Sequence, residues 1–135
     1  MSDTGIRDDP HAEHEDARGP HLAAISRRMV ELLKEHYGKG PTSARTYMSG
    51  DLVVVILNGG YTTSEKTLIR EGHSDAVAGM RTAFQEAMRP RMKQIVEEEI
   101  RRPVIAFMST NHQDPDLNAE LFILASEDDE EQPAD

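Results

Sequence analysis

Leu52-Val53-Val54-Val55-Ile56-Leu57 is apolar at every position and stands between two turn signals, Ser49-Gly50-Asp51 and Asn58-Gly59-Gly60. A short run rich in β-branched residues and bounded by glycine reads as a strand. A strand with no polar face must be covered on both sides. In a chain of 135 residues helices can cover one side, and the other calls for a second layer or a second copy. A homodimer is therefore expected.

Working outward, Thr42–Met48 lies just before the turn and forms the other arm of a β-hairpin. Ahead of it, Leu22, Ile25, Met29, Leu32, Leu33 and His36 recur at helical spacing. The spacing predicts a helix from Pro20, whose fixed φ suits a first helical position. The helix runs to Tyr37 and is stopped by Gly38, Gly40 and Pro41. Beyond the strand, Thr62-Thr63-Ser64-Glu65 is a capping box that opens a short helix ending before Gly72. Ser74 is the expected cap of a long helix to about Ile100. That helix carries Val77, Met80, Phe84, Met88, Met92, Ile95 and Val96 towards the core, and Pro90 is expected to kink or divide it. Val104–Met108 and Glu120–Leu124 read as strands, with Ser109–Asn118 a polar loop between them. The order α-β-β-α-α-β-β predicts an α+β fold: a four-stranded antiparallel or mixed sheet with helices on one face.

Composition divides the chain into three. Residues 1–18 and 126–135 each carry six acids, the first segment with two arginines and the second with no base, and together they hold the whole net charge of −10. Such segments bury too little apolar surface to offset the entropy of ordering. They are expected to be disordered acidic tails around a single charge-balanced domain at 19–125. The acidic balance counts against nucleic acid as a partner, but that argument belongs to the tails and leaves the core electrostatically uncommitted. With no cysteine there is no disulfide, thiolate nucleophile or zinc–thiolate site, which fits a cytoplasmic setting. The N-terminus lacks the apolar segment of a secretory signal. The longest apolar run falls far short of the roughly 20 residues of a membrane helix. Any membrane association is expected to be peripheral, through a partner.

Chemistry-bearing motifs are few. Gly38-Lys39-Gly40-Pro41-Thr42 resembles a phosphate loop, but it follows a helix and precedes a strand, the reverse of what phosphate binding at a helix N-terminus requires. Asn111, His112, Asp114 and Asp116 make the candidate functional loop: an imidazole and two carboxylates could ligate a divalent metal or act as a general base. Asp-Pro-Asp is equally ordinary turn chemistry. His11, His14 and His21 cluster loosely without zincin spacing. Arg81, Arg89, Arg91, Lys93, Arg101 and Arg102 could face phosphate. Glu86, Glu97, Glu98 and Glu99 are interleaved with them, as on a solvated helix. No cofactor motif and no Gly-x-Ser-x-Gly elbow is present, which points away from an enzyme.

Taken in order, several segments resemble one bacterial family. These are Ile25-Ser26-Arg27-Arg28-Met29-Val30, Gly38–Thr42, Asp51–Val55, Thr63–Leu68, Arg81–Met88, Val104–Phe107, Asn111-His112 and Asp114-Pro115-Asp116. The family is the MpsC-like domain, named for a Na⁺-translocating, membrane-potential-generating system and long carried as a domain of unknown function. The resemblance spans about residues 22–125. It implies an accessory or regulatory protein tied to membrane cation translocation or to related inorganic-carbon uptake, and it brings no catalytic residues with it. This chain departs from the family at Glu99-Ile100-Arg101-Arg102-Pro103, where a glycine is usual before the third strand. It departs again at Tyr61–Glu65, where Leu-Thr-Pro-Ala-Glu is common. Two other readings stand beside this one: a small metal-dependent enzyme using His112, Asp114 and Asp116, and a nucleotide or nucleic-acid module using the arginines.

Overall fold

A computed structural model describes residues 10–126, with side chains from residue 17 onward. Residues 1–9 and 127–135 of the expected tails lie outside the described residues, and residues 10–18 are helical. Within them, α1 (Pro10–Tyr37) leads into a hairpin of β1 (Ser43–Ser49) and β2 (Leu52–Asn58). Two helices follow, α2 (Thr63–Arg70) and α3 (Ser74–Ile100), and then a second hairpin of β3 (Val104–His112) and β4 (Leu117–Leu124). The fold is α+β in the expected order α-β-β-α-α-β-β.

The sheet is antiparallel throughout, with strand order β1-β2-β4-β3. The two hairpins therefore meet through their second strands. Central β2 is the all-apolar run: Val53, Val55 and Leu57 are fully buried, and Leu52, Val54 and Ile56 on the other side are half-buried. The buried side packs against α1 and α3 through Ile25, Met29, Met92, Val96 and Phe122. Phe122 stacks on Phe107 with ring centroids 4.3 Å apart.

Several boundaries differ from the sequence expectation. Helix α1 begins at Pro10 and continues through Gly19 and Pro20. Proline fits helical φ and forfeits one N–H bond there. His36 is exposed and not part of the buried stripe. Helix α3 is capped at His73, one residue before the expected Ser74, with no side-chain cap bond. It runs unbroken through Pro90, and Met80 stands 49% exposed, off the core face. The expected loop at Ser109–Asn118 is mostly strand: Ser109, Thr110 and Asn111 pair with Glu120, Ala119 and Asn118, leaving only residues 113–116 as the turn. Their polar side chains suggested a loop; on the helix-facing side Ser109 Oγ donates to Glu120. At Arg101, within the Glu99–Pro103 stretch where the resemblance led to an expected glycine, the backbone is left-handed with φ 66°.

The sheet face turned away from the helices is the second consequence of the all-apolar strand. Cross-strand partners share a face. Tyr47, Val54, Leu121 and Met108 make one row across all four strands, and Leu52, Ile123 and Ala106 lie in the next. Tyr47 and Met108, at the sheet edges, are 52% and 51% exposed. None of these residues belongs to the core that packs with the helices.

Candidate functional site

The buried charge of the domain gathers where α2, α3 and the β3–β4 turn converge. The capping box at the start of α2 forms as the sequence requires: Glu65 N–H donates to Thr62 Oγ1 at 3.1 Å, and Thr62 N–H donates to Glu65 Oε1 at 2.9 Å. Glu65 does more than cap. Its side chain is 1% exposed and also accepts from the Tyr37 hydroxyl. Arg81, two turns into the next helix and 8% exposed, faces it with Nε 3.7 Å from Glu65 Oε2. The same guanidinium lies 4.0 Å from the centroid of the Tyr61 ring, a cation–π contact.

Asp116 completes the group from the β3–β4 turn. Its Oδ1 is 3.4 Å from Arg81 Nη1, and its Oδ2 accepts from Tyr61 N–H at 3.2 Å. Its backbone carbonyl accepts from Gly59 N–H at 2.9 Å. Gly59 allows this approach: its φ is +76°, and a Cβ there would meet Thr42 Oγ1 at 2.8 Å. Burial raises the Asp116 carboxyl above its ordinary value, with the Arg81 charge and the Tyr61 N–H opposing. Burial, and then the Asp116 charge, likewise raises the Tyr61 phenol. One guanidinium thus serves two carboxylates, each of which also ties down backbone.

Next to this group a small cavity of about 40 Å³ opens between the Gly38–Pro41 segment, Gly59-Gly60 and the middle of α3. Tyr37 and Phe84, edge to face at 4.5 Å, wall it on one side. Asn118 and Glu120 line it from the sheet. Glu120 is 1% exposed. It accepts from Ser109 Oγ and, at 3.2 Å, from Gln85 Nε2. Burial pushes its carboxyl up to about 7, against the opposing hydrogen bonds and the charge of Arg89. Arg81 Nε and Asn118 Oδ1 have no hydrogen-bond partner among the described residues. Both residues line the cavity, which has room for two or three waters at roughly 10–15 Å³ each.

The candidate loop is therefore only partly brought together. Asp116 joins the buried group. His112 is exposed with Nδ1 2.9 Å from Pro115 O, Asp114 is exposed, and Asn111 lies in strand β3. The Asp114–Pro115 peptide is cis. Among the described residues no three of His, Asp and Glu are placed to hold a metal. His21 pairs with Glu99 at 3.0 Å, while the side chains of His11 and His14 lie outside the described residues. Arg81 is the main correction to the reading of α3 as a solvated helix. Its burial follows from Tyr61, Glu65 and Asp116, which sequence distance hides. Arg28 on α1 holds Glu98 and Glu99 of α3 at 2.6 and 3.0 Å, so those acids brace the helix pair. Sequence reading also missed Glu65 beyond its cap, Tyr37, Asn118 and Glu120. The capping box was the one available signal.

The family model described as Na⁺-translocating membrane potential-generating system (MpsC) matches residues 18–126. No curated protein and no solved structure matches the chain.

Proposed function

The chain belongs to the MpsC family, and on that premise we propose that it is a soluble, non-catalytic accessory or regulatory protein. It serves a membrane system that translocates cations, or related inorganic-carbon uptake machinery, from the cytoplasmic side and as a homodimer. The family match over nearly all of the described chain carries this reading. Two features support it. The buried charged groups are held within the domain: Arg81 by Glu65 and Asp116, and Glu120 by the side chains of Ser109 and Gln85. A catalytic set would leave a base or nucleophile open to a substrate. No described helix is long and apolar enough to cross a membrane, so attachment would run through a protein partner.

The test is affinity purification of the tagged chain from its own host in mild detergent. Recovery of a polytopic cation-transport subunit in fixed ratio is the expected result. Recovery of the chain alone, at detergent and salt concentrations that preserve other membrane complexes, would overturn the accessory role.

A further inference from the structure

The homodimer reading began from the uncovered side of the all-apolar strand, and the structure now gives that side its full extent. We propose that the outward face of the sheet is the surface that joins the two copies. Two four-stranded sheets would stack across a two-fold axis, giving a helix–sheet–sheet–helix sandwich. The inference rests on the homodimer reading.

The anatomy of the face supports it. Leu52, Val54, Ile56, Leu121 and Ile123 occupy the outward positions of the two central strands. Polar and amphipathic residues, among them Arg45, Tyr47 and Thr110, lie on the two edge strands. An apolar centre inside a polar rim is how specific interfaces are built. A contiguous apolar face of this kind is unusual on a protein that stays monomeric.

Charge selects the occupant. The chain carries 25 acids and a net charge of −10, yet no Asp or Glu stands at an outward position of any of the four strands. Two copies can therefore meet here without bringing carboxylates face to face. An anionic lipid surface would instead need a cluster of basic groups. The outward positions offer only Arg45 and His112, on an otherwise acidic chain.

The area is adequate. With strands about 4.8 Å apart and a rise of about 3.3 Å per residue, four strands of seven residues cover roughly 450 Å² on each copy. Side-chain relief brings the pair to the roughly 1,000 Å² at which specific interfaces begin. Stacked sheets lie about 10 Å apart. At that spacing Val54 and Leu121, in the middle of the face, sit close to their own symmetry mates, as an isologous contact requires.

The test uses sedimentation equilibrium of the full chain with Leu121→Lys and Leu121→Cys. The wild type should be a dimer, and Leu121→Lys should raise the dissociation constant roughly 100-fold or more while keeping the far-ultraviolet spectrum. The chain has no cysteine of its own, so Leu121→Cys introduces a single thiol. A short bis-maleimide should join it to its mate. A monomeric wild type would sink the homodimer reading and this inference together. A wild-type dimer that persists in Leu121→Lys, with Leu121→Cys failing to cross-link, would place the interface elsewhere and overturn this inference alone. Binding of the monomer to anionic vesicles through Leu121 would also overturn it.

Discussion

Replacing Glu120 with glutamine tests the electrostatics of the core directly. Glu120 lies under α3, holding Ser109 and Gln85, and burial pushes its carboxyl up to about 7 from an ordinary 4.5. In that interval the folded state binds the proton more tightly than the unfolded state does. Stability contributed by the neutral form is therefore full at low pH, falls as pH rises from about 4.5 to about 7, and stays lost above. A difference between about 7 and 4.5 corresponds to about 3 kcal/mol at the upper plateau. Glutamine keeps the shape and the hydrogen-bonding capacity of the neutral acid but cannot ionise. Glu120→Gln should match the wild type near pH 4 and exceed it by up to about 3 kcal/mol at pH 8.5. Urea denaturation of both proteins across that range measures the difference, in which the other titrating groups cancel. A gap that does not change with pH would refute the claim that Glu120 resists ionisation in the core.

Other perturbations address the rest of the site. Arg81→Met leaves Glu65 and Asp116 buried without their cation and should cost about 3–5 kcal/mol in urea denaturation; adding Glu65→Gln should recover part of that loss, and full additivity would show that the groups are not coupled. Arg101→Gly should stabilise the domain by about 1 kcal/mol by relieving the left-handed backbone at φ 66°; a lower denaturation midpoint would show that the arginine side chain matters more than the strain. Chelation with EDTA should leave the melting temperature unchanged, because His112 is turned to Pro115 and Asp116 to Arg81; a marked drop would restore a metal at the turn.

Periodicity and turn residues made most of the architecture readable. The run Leu52–Leu57, framed by glycine turns, marked a central strand, and Thr62 with Glu65 marked a helix start that forms as read. Reading failed where polar residues turn inward. Ser109 and Asn118 looked like loop residues, yet both lie on strands, and Ser109 Oγ donates to Glu120 directly across the hairpin. Gly19 and Pro20 looked like a helix boundary and are spanned by one helix. Of the candidate loop, Asp116 belongs to the buried group, while His112 and Asp114 stay outside it. Arg81 could not be separated from the neighbouring solvated arginines, because its partners come from a helix cap and a turn on either side of it in sequence. The apolar outward face, by contrast, was implicit in the strand with no polar side.

The most direct test of the accessory role is the Na⁺-dependent membrane potential in inverted vesicles from the host, prepared with and without this chain. The account predicts that vesicles lacking it lose most of that potential, and that expressing the wild-type chain restores it. An equal potential in both preparations would contradict the proposed link to cation translocation.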